Sequence, residues 1–187
     1  MLVLPPVYTR YSWISIDPGL STCGFAIFTA NEHGIESIEP FTITNSRIGF
    51  SSDYPEEHHL GRSIRIHLLC LVLLRVLQRI NPIAIVSESP FYNPRMPGAF
   101  GSLTELVAAL RLTVASYNVY IPFIAYAPQE VKQSFKRSGQ IGKVVMKEAL
   151  EQNDFLCSKL TAPLETLDEH SIDAIAVGYT WWLRLQT

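Results

Sequence analysis

Between Pro82 and Pro90 runs a short apolar stretch, Ile83-Ala84-Ile85-Val86-Ser87, that ends in Glu88. A β-branched run with no polar face reads as a strand buried on both sides, which places it inside a sheet and not on a solvated surface. It also leaves a carboxylate at the strand tip, where burial is costly unless a cation, a metal or solvent meets the charge.

The remaining elements are read around that strand. Residues 11–17, YSWISID, alternate and end in Asp17-Pro18-Gly19, a turn signal, and CGFAIFT (23–29) and IESIEPFTIT (35–44) read as two further strands. The chain therefore opens as a three-stranded meander. From Pro55 the period lengthens, with Leu60, Ile64, Leu68, Leu71 and Leu74 at helical spacing until Asn81-Pro82, which predicts a helix of roughly six turns. Its second half, LLCLVLLRVL, is apolar on almost every side and calls for cover from the sheet on one face and from another helix or a second subunit on the other. The Pro- and Gly-rich FYNPRMPGAFGS reads as loop. It is followed by a helix over about 103–117, a strand over about 119–126, a short helix from Pro128, and a last helix that begins near Asp168, a good N-cap residue. The order is β-β-β-α-β-α-β-α, with no internal repeat or linker.

The chain has 187 residues, 48% of them hydrophobic and 17% charged, which excludes a disordered or fibrous chain and predicts one domain over 1–187. The longest apolar run, Leu68 to Leu74, is far short of the roughly 20 residues that span a bilayer, so no membrane segment is expected. The start, MLVLPPVYTRYSW, lacks an export signal, and Cys23, Cys70 and Cys157 lie far apart without a CxxC pair. Both observations predict a cytoplasmic protein with free thiols. A net charge of -2 does not announce a nucleic-acid binder, but residues 129–147 hold Lys132, Lys136, Arg137, Lys143 and Lys147 against Glu130 alone. That local excess is either a solvated helix face or an anion contact.

Four side chains carry candidate chemistry. Asp17 ends the first strand, although Asp-Pro-Gly is also an ordinary turn. Glu88 ends the apolar strand. His170 and Asp173 are three apart near the start of the last helix and share a face, and Asp173 stands alone among Ile172, Ala174, Ile175, Ala176 and Val177. The plainer readings are an exposed first-turn histidine and a carboxylate favoured by the helix N-terminus. Asp168 is a cap and Glu169 an acidic neighbour off that face. Three carboxylates and a histidine from two strands and a C-terminal helix make an oxygen-rich site suited to Mg²⁺, and two such ions hydrolyse phosphodiesters.

The chain resembles the RuvC family of Holliday junction resolvases, within the ribonuclease H-like superfamily. ISIDPGLSTCGFAI is similar to the family's opening strand, IVSESPFY to its central strand with an aromatic three residues after the glutamate, and HSIDAIAVG to its C-terminal helix. APQEVKQ, followed by Gly139 and Lys143 at the family's lysine-to-lysine separation from Lys132, is a fourth match. The resemblance implies a mixed five-stranded α/β sheet with helices on both faces. It also implies a crossover junction endonuclease with Asp17, Glu88, His170 and Asp173 as catalytic metal ligands. His170 stands where many relatives carry aspartate. Mg²⁺, with Mn²⁺ as a substitute, is the implied cofactor, four-way junction DNA the substrate, and a homodimer the active form, joined through the long apolar helix. Lys132 and Lys143 become DNA-backbone contacts, and Phe91 either stacks on an opened base or anchors its loop to the core. Two rivals stay open: a YqgF-type nuclease acting on RNA or another branched substrate, and an actin-like or sugar-kinase phosphate binder, which Asp-x-Gly after a first strand also resembles.

Overall fold

The computed structural model describes residues 10–44, 61–92, 94, 97–135 and 145–186. A five-stranded mixed sheet forms its centre, in the order β3-β2-β1-β4-β5. Strands β1 (Tyr11–Asp17), β2 (Thr22–Asn31) and β3 (Gly34–Thr44) pair antiparallel, while β4 (Ala84–Glu88) pairs parallel to β1 and β5 (Phe123–Tyr126) parallel to β4. Helix α1 (Gly61–Ile80) leads into β4 and α2 (Pro97–Tyr117) into β5. After β5 come α3 (Pro128–Ser134), α4 (Met146–Glu151), α5 (Asp154–Cys157), a 3₁₀ turn at Leu164–Thr166, and α6 (Glu169–Leu185).

The period of two along β1 sorts its residues between two cores. Ile14 and Ile16 join Phe25, Ile27 and Ile85 beneath α1 and α2, whereas Trp13 joins Ala26, Phe28 and Val86 beneath α6. The strand can be apolar on both sides because both sides are covered. On the α6 side Trp13 stacks on Phe28 with ring centroids 4.8 Å apart, stacks on Trp182 at 5.5 Å and tilts against Trp181 at 5.2 Å. Its indole N–H donates to the Gly178 carbonyl (3.2 Å), and the buried Ser15 hydroxyl lies 2.7 Å from the Ala174 carbonyl. Each buried polar group that holds α6 to the sheet is thereby satisfied.

Several expected boundaries shift. Helix α2 begins at Pro97 rather than near 103, and the expected strand over 119–126 shortens to Phe123–Tyr126. At its start the Asn118 carbonyl accepts from Ile121 N–H and the Asn118 side chain from Tyr120 N–H, which closes a turn that sends 118–122 out of the ladder. The predicted start of the first helix lies outside the described residues. The second face of α1 is covered by α2, through Leu106, Leu110 and Val114. The expectation of no membrane-length segment also needs correction: Gly98–Tyr117 is long and apolar enough to cross a membrane by length and composition, with Glu105 and Arg111 its only charged residues. Those three residues of its inner face pack in the sheet core.

Candidate active site

The site forms where β1 and β4 end. The two strands are parallel and in register, with Ser15 opposite Val86 and Ile16 opposite Ser87, so Asp17 and Glu88 follow side by side at the same edge. Alternation aims both toward α6, since Trp13 and Val86 of the same rows lie in the α6 core. The sequence sends each strand through a buried apolar stretch and breaks it at once with a carboxylate, so the charges emerge where cover by the helix thins.

The first turn of α6 closes over this edge. Asp168 caps the helix, its Oδ1 accepting from Ser171 N–H at 2.8 Å. His170 Nδ1 lies 2.7 Å from Asp17 Oδ2. With Asp17 ionised, Nδ1 carries the proton and donates it, leaving the Nε2 lone pair free to serve as a ligand or acceptor. Gly24 of β2 sits opposite Asp17, and a β-carbon there would collide with the His170 carbonyl oxygen, so only glycine lets the helix turn lie this close to the strand. Asp173, one turn on, is half-buried between fully buried neighbours.

The charges crowd one another. Burial, then the charges of Asp17 and Asp173, push the Glu88 carboxyl up to about 7, against some relief from Lys132. Asp173 is pushed up to about 6 by burial, then by Asp17 and Glu169, with His170 and Lys132 opposing. Asp17 is also raised by burial, offset in part by its hydrogen bond from His170. Negative charge concentrated without enough positive charge to balance it is the signature of a set that wants a cation. Hard oxygen donors plus one imidazole fit a divalent metal ion. Only Asp17 and His170 are in direct contact, and among the described residues no three His, Cys, Asp or Glu side chains are drawn together into a ready cage.

The expected DNA contacts are placed unevenly. Lys132 is exposed on α3 within the electrostatic reach of Glu88 and Asp173. Lys143 lies outside the described residues. Phe91 is 60% exposed and so anchors no core. Sequence reasoning set Glu169 aside as an acidic neighbour, yet its charge reaches both Asp17 and Asp173, and it did not single out Tyr92, 53% exposed and edge-on to Phe100 at 5.6 Å. The tandem Phe91-Tyr92 was visible in the sequence; the reach of Glu169 depends on how α6 meets β1 and had no local signal.

No family model matches the chain. Among curated proteins it is similar to the crossover junction endodeoxyribonuclease RuvC of Thermotoga petrophila, 28% identical over 167 residues that cover 89% of this chain and 88% of the relative. The enzyme of the same name from Thermus thermophilus is 28% identical over 165 residues, 88% of this chain and 89% of that one. Among solved structures the fold is similar to T. thermophilus RuvC in complex with Holliday junction substrate, with a TM-score of 0.64, 18% identity and coverage of 94% and 96% of the two chains. It is likewise similar to the yeast mitochondrial Holliday junction resolvase Ydc2, with a TM-score of 0.62, 15% identity and coverage of 94% and 79%. The five-stranded mixed sheet with helices on both faces is the fold that the resemblance implied, and these solved structures share it.

Proposed function

We propose that this chain is a member of the RuvC family and a structure-selective endonuclease that resolves four-way DNA junctions. The observation that carries the reading is the meeting of Asp17 and Glu88, from adjacent parallel strands, with His170 and Asp173 of α6 at one edge of the sheet. Asp17, Glu88, His170 and Asp173 hold the divalent metal, Mg²⁺ with Mn²⁺ as a substitute. When bound it supplies charge stabilisation at the scissile phosphate and a more acidic water.

The chain's own groups do the rest. His170 donates its Nδ1 proton to Asp17, which fixes the ring orientation and leaves Nε2 as the nitrogen available for a ligand. Lys132 offsets the carboxylate field along the path that a phosphate backbone must take, and Lys143 belongs to the same basic stretch. Phe91, exposed beside Glu88, stacks on a base opened at the crossover. Residues 1–187 act as one nuclease domain. Symmetric resolution needs two opposed nicks, so the active form is a homodimer. Its surface is the outer side of the α1 and α2 layer, where Leu71 and Leu112 stand exposed. The three free cysteines suit the cytoplasm.

The test is cleavage of a synthetic four-way junction beside a linear duplex, a single strand and an RNA duplex, with Mg²⁺, with Mn²⁺ and with chelator. Paired, metal-dependent nicks confined to the junction are expected. Preferential cleavage of the RNA duplex overturns the reading in favour of RNA processing.

A further inference from the structure

Asp168 does more than cap α6. Its Oδ1 accepts from the Ser171 N–H at 2.8 Å and from the Ser171 hydroxyl at 3.0 Å, which satisfies the helix end. The same oxygen also accepts from the Thr42 hydroxyl of β3 at 2.8 Å, across 126 residues of sequence. An N-cap has no need of that third bond.

The register shows what the bond holds. Asp17 of β1 is opposite Gly24 of β2, and Gly24 is opposite Thr42 of β3, so the three residues form one row across the sheet. The first turn of α6 lies along that row and touches all of it: Asp168 on Thr42, the His170 backbone over Gly24, and the His170 ring on Asp17. The middle contact is a close steric one between backbones. The next anchor along the helix is the Ser15 hydroxyl on the Ala174 carbonyl, one turn further on. Without Thr42, the turn carrying His170 is pinned at one side only and is free to rock about that anchor. Edge strand β3 is a firm base, because Ile38 of β3 bonds through N–H and C=O to Lys159 and Thr161 on its outer side.

We infer that Thr42 and Asp168 are positioning residues for the nuclease reaction: their hydrogen bond spans the sheet edge and sets the angle at which His170 meets Asp17. This rests on the assignment of His170 and Asp17 to the active site. Neither positioning residue touches the substrate; they act through the His170 ring, and a misplacement on the ångström scale at a reacting centre costs up to about a hundredfold in rate.

Thr42→Val removes the hydroxyl and leaves the cap intact, Thr42→Ser keeps the hydroxyl, and Asp168→Ala removes cap and bridge together. Three readouts separate positioning from plain stability: single-turnover junction cleavage, junction binding, and the imidazole NMR signals of His170 in metal-free protein, with thermal melts alongside. Thr42→Val is expected to cut roughly ten- to a hundredfold more slowly at unchanged junction affinity, with shifted His170 signals and a melting temperature near that of the wild type. Thr42→Ser is expected to restore both rate and signals. Wild-type cleavage and unmoved His170 signals in Thr42→Val overturn the inference and leave Asp168 a cap, and so does a Thr42→Ser variant as slow as Thr42→Val. Asp17→Asn, run in parallel, judges the underlying site: if it cleaves normally the site reading fails, whereas a dead Asp17→Asn beside a normal Thr42→Val removes the positioning role alone.

Discussion

Along its C-terminal half α6 lays Trp181 and Trp182 on Trp13, which itself stacks on Phe28; at its first turn the same helix sets His170 and Asp173 near Asp17 and Glu88. The two halves meet the same strands, four residues of β1 apart. At Trp13 every polar atom is partnered and every ring is covered, whereas at the other end burial, and after it neighbouring carboxylates, raise the proton affinity of Asp17, Glu88 and Asp173. The contrast shows how one interface divides its tasks. The aromatic end holds the helix with enough free energy that the polar end can stay crowded with like charge, a local cost that native proteins tolerate at functional sites.

Breaking the aromatic end gives the largest effect on stability. Trp13→Ala is expected to cost about 3–5 kcal/mol in chemical denaturation, and cleavage falls with the fold. A loss below about 1 kcal/mol would mean that α6 is held by something other than this cluster.

The polar end responds to pH in the opposite sense to an ordinary salt-bridged site. Glu88 and Asp173 have raised values, so the folded state binds protons more tightly than the unfolded one between the usual carboxylate range and about 7. Metal-free protein is therefore expected to lose stability as pH rises from about 4.5 to 7.5, by at most about 3 kcal/mol for Glu88, and Glu88→Gln should flatten that slope. Denaturation midpoints at pH 5 and pH 7.5 check the sign; a wild type that gains stability over this range removes the crowding from the explanation.

The smallest expected effect lies at Lys132, which faces the crowded end from α3. Lys132→Ala should weaken junction binding and lower its salt slope by roughly one, with folding unchanged. An unchanged slope returns Lys132 to a solvated face.

Much of this contrast was legible before any coordinates. YSWISID marked β1 because strict alternation ran into Asp-Pro-Gly, and Asp168 marked the start of α6 because a capping side chain precedes an apolar helix. Asp17 and Glu88 were visible as carboxylates ending apolar strands, Asp173 as a lone carboxylate inside an apolar helix, and His170 as its neighbour three residues back on the same face. What stayed hidden depends on short elements or on distant pairing. Helices α4 and α5 have six and four residues, too few for a periodic signal. The start of α2 was hidden by Gly98 and Gly101, which read as loop but tolerate a helix that opens on Pro97. Thr42 looked like any β-strand threonine, and only the register places it in a row with Gly24 and Asp17.

The most direct test of the site is junction cleavage by Asp173→Asn, measured together with junction binding. On the proposed assignment, removing this carboxylate takes a ligand from the cation and a negative charge from the path of the phosphate. Cleavage is therefore expected to fall by several kcal/mol of barrier, about a thousandfold, while junction affinity stays the same or tightens. Near-normal cleavage by Asp173→Asn would contradict the assignment of the α6 turn, with Asp17 and Glu88, as the catalytic site.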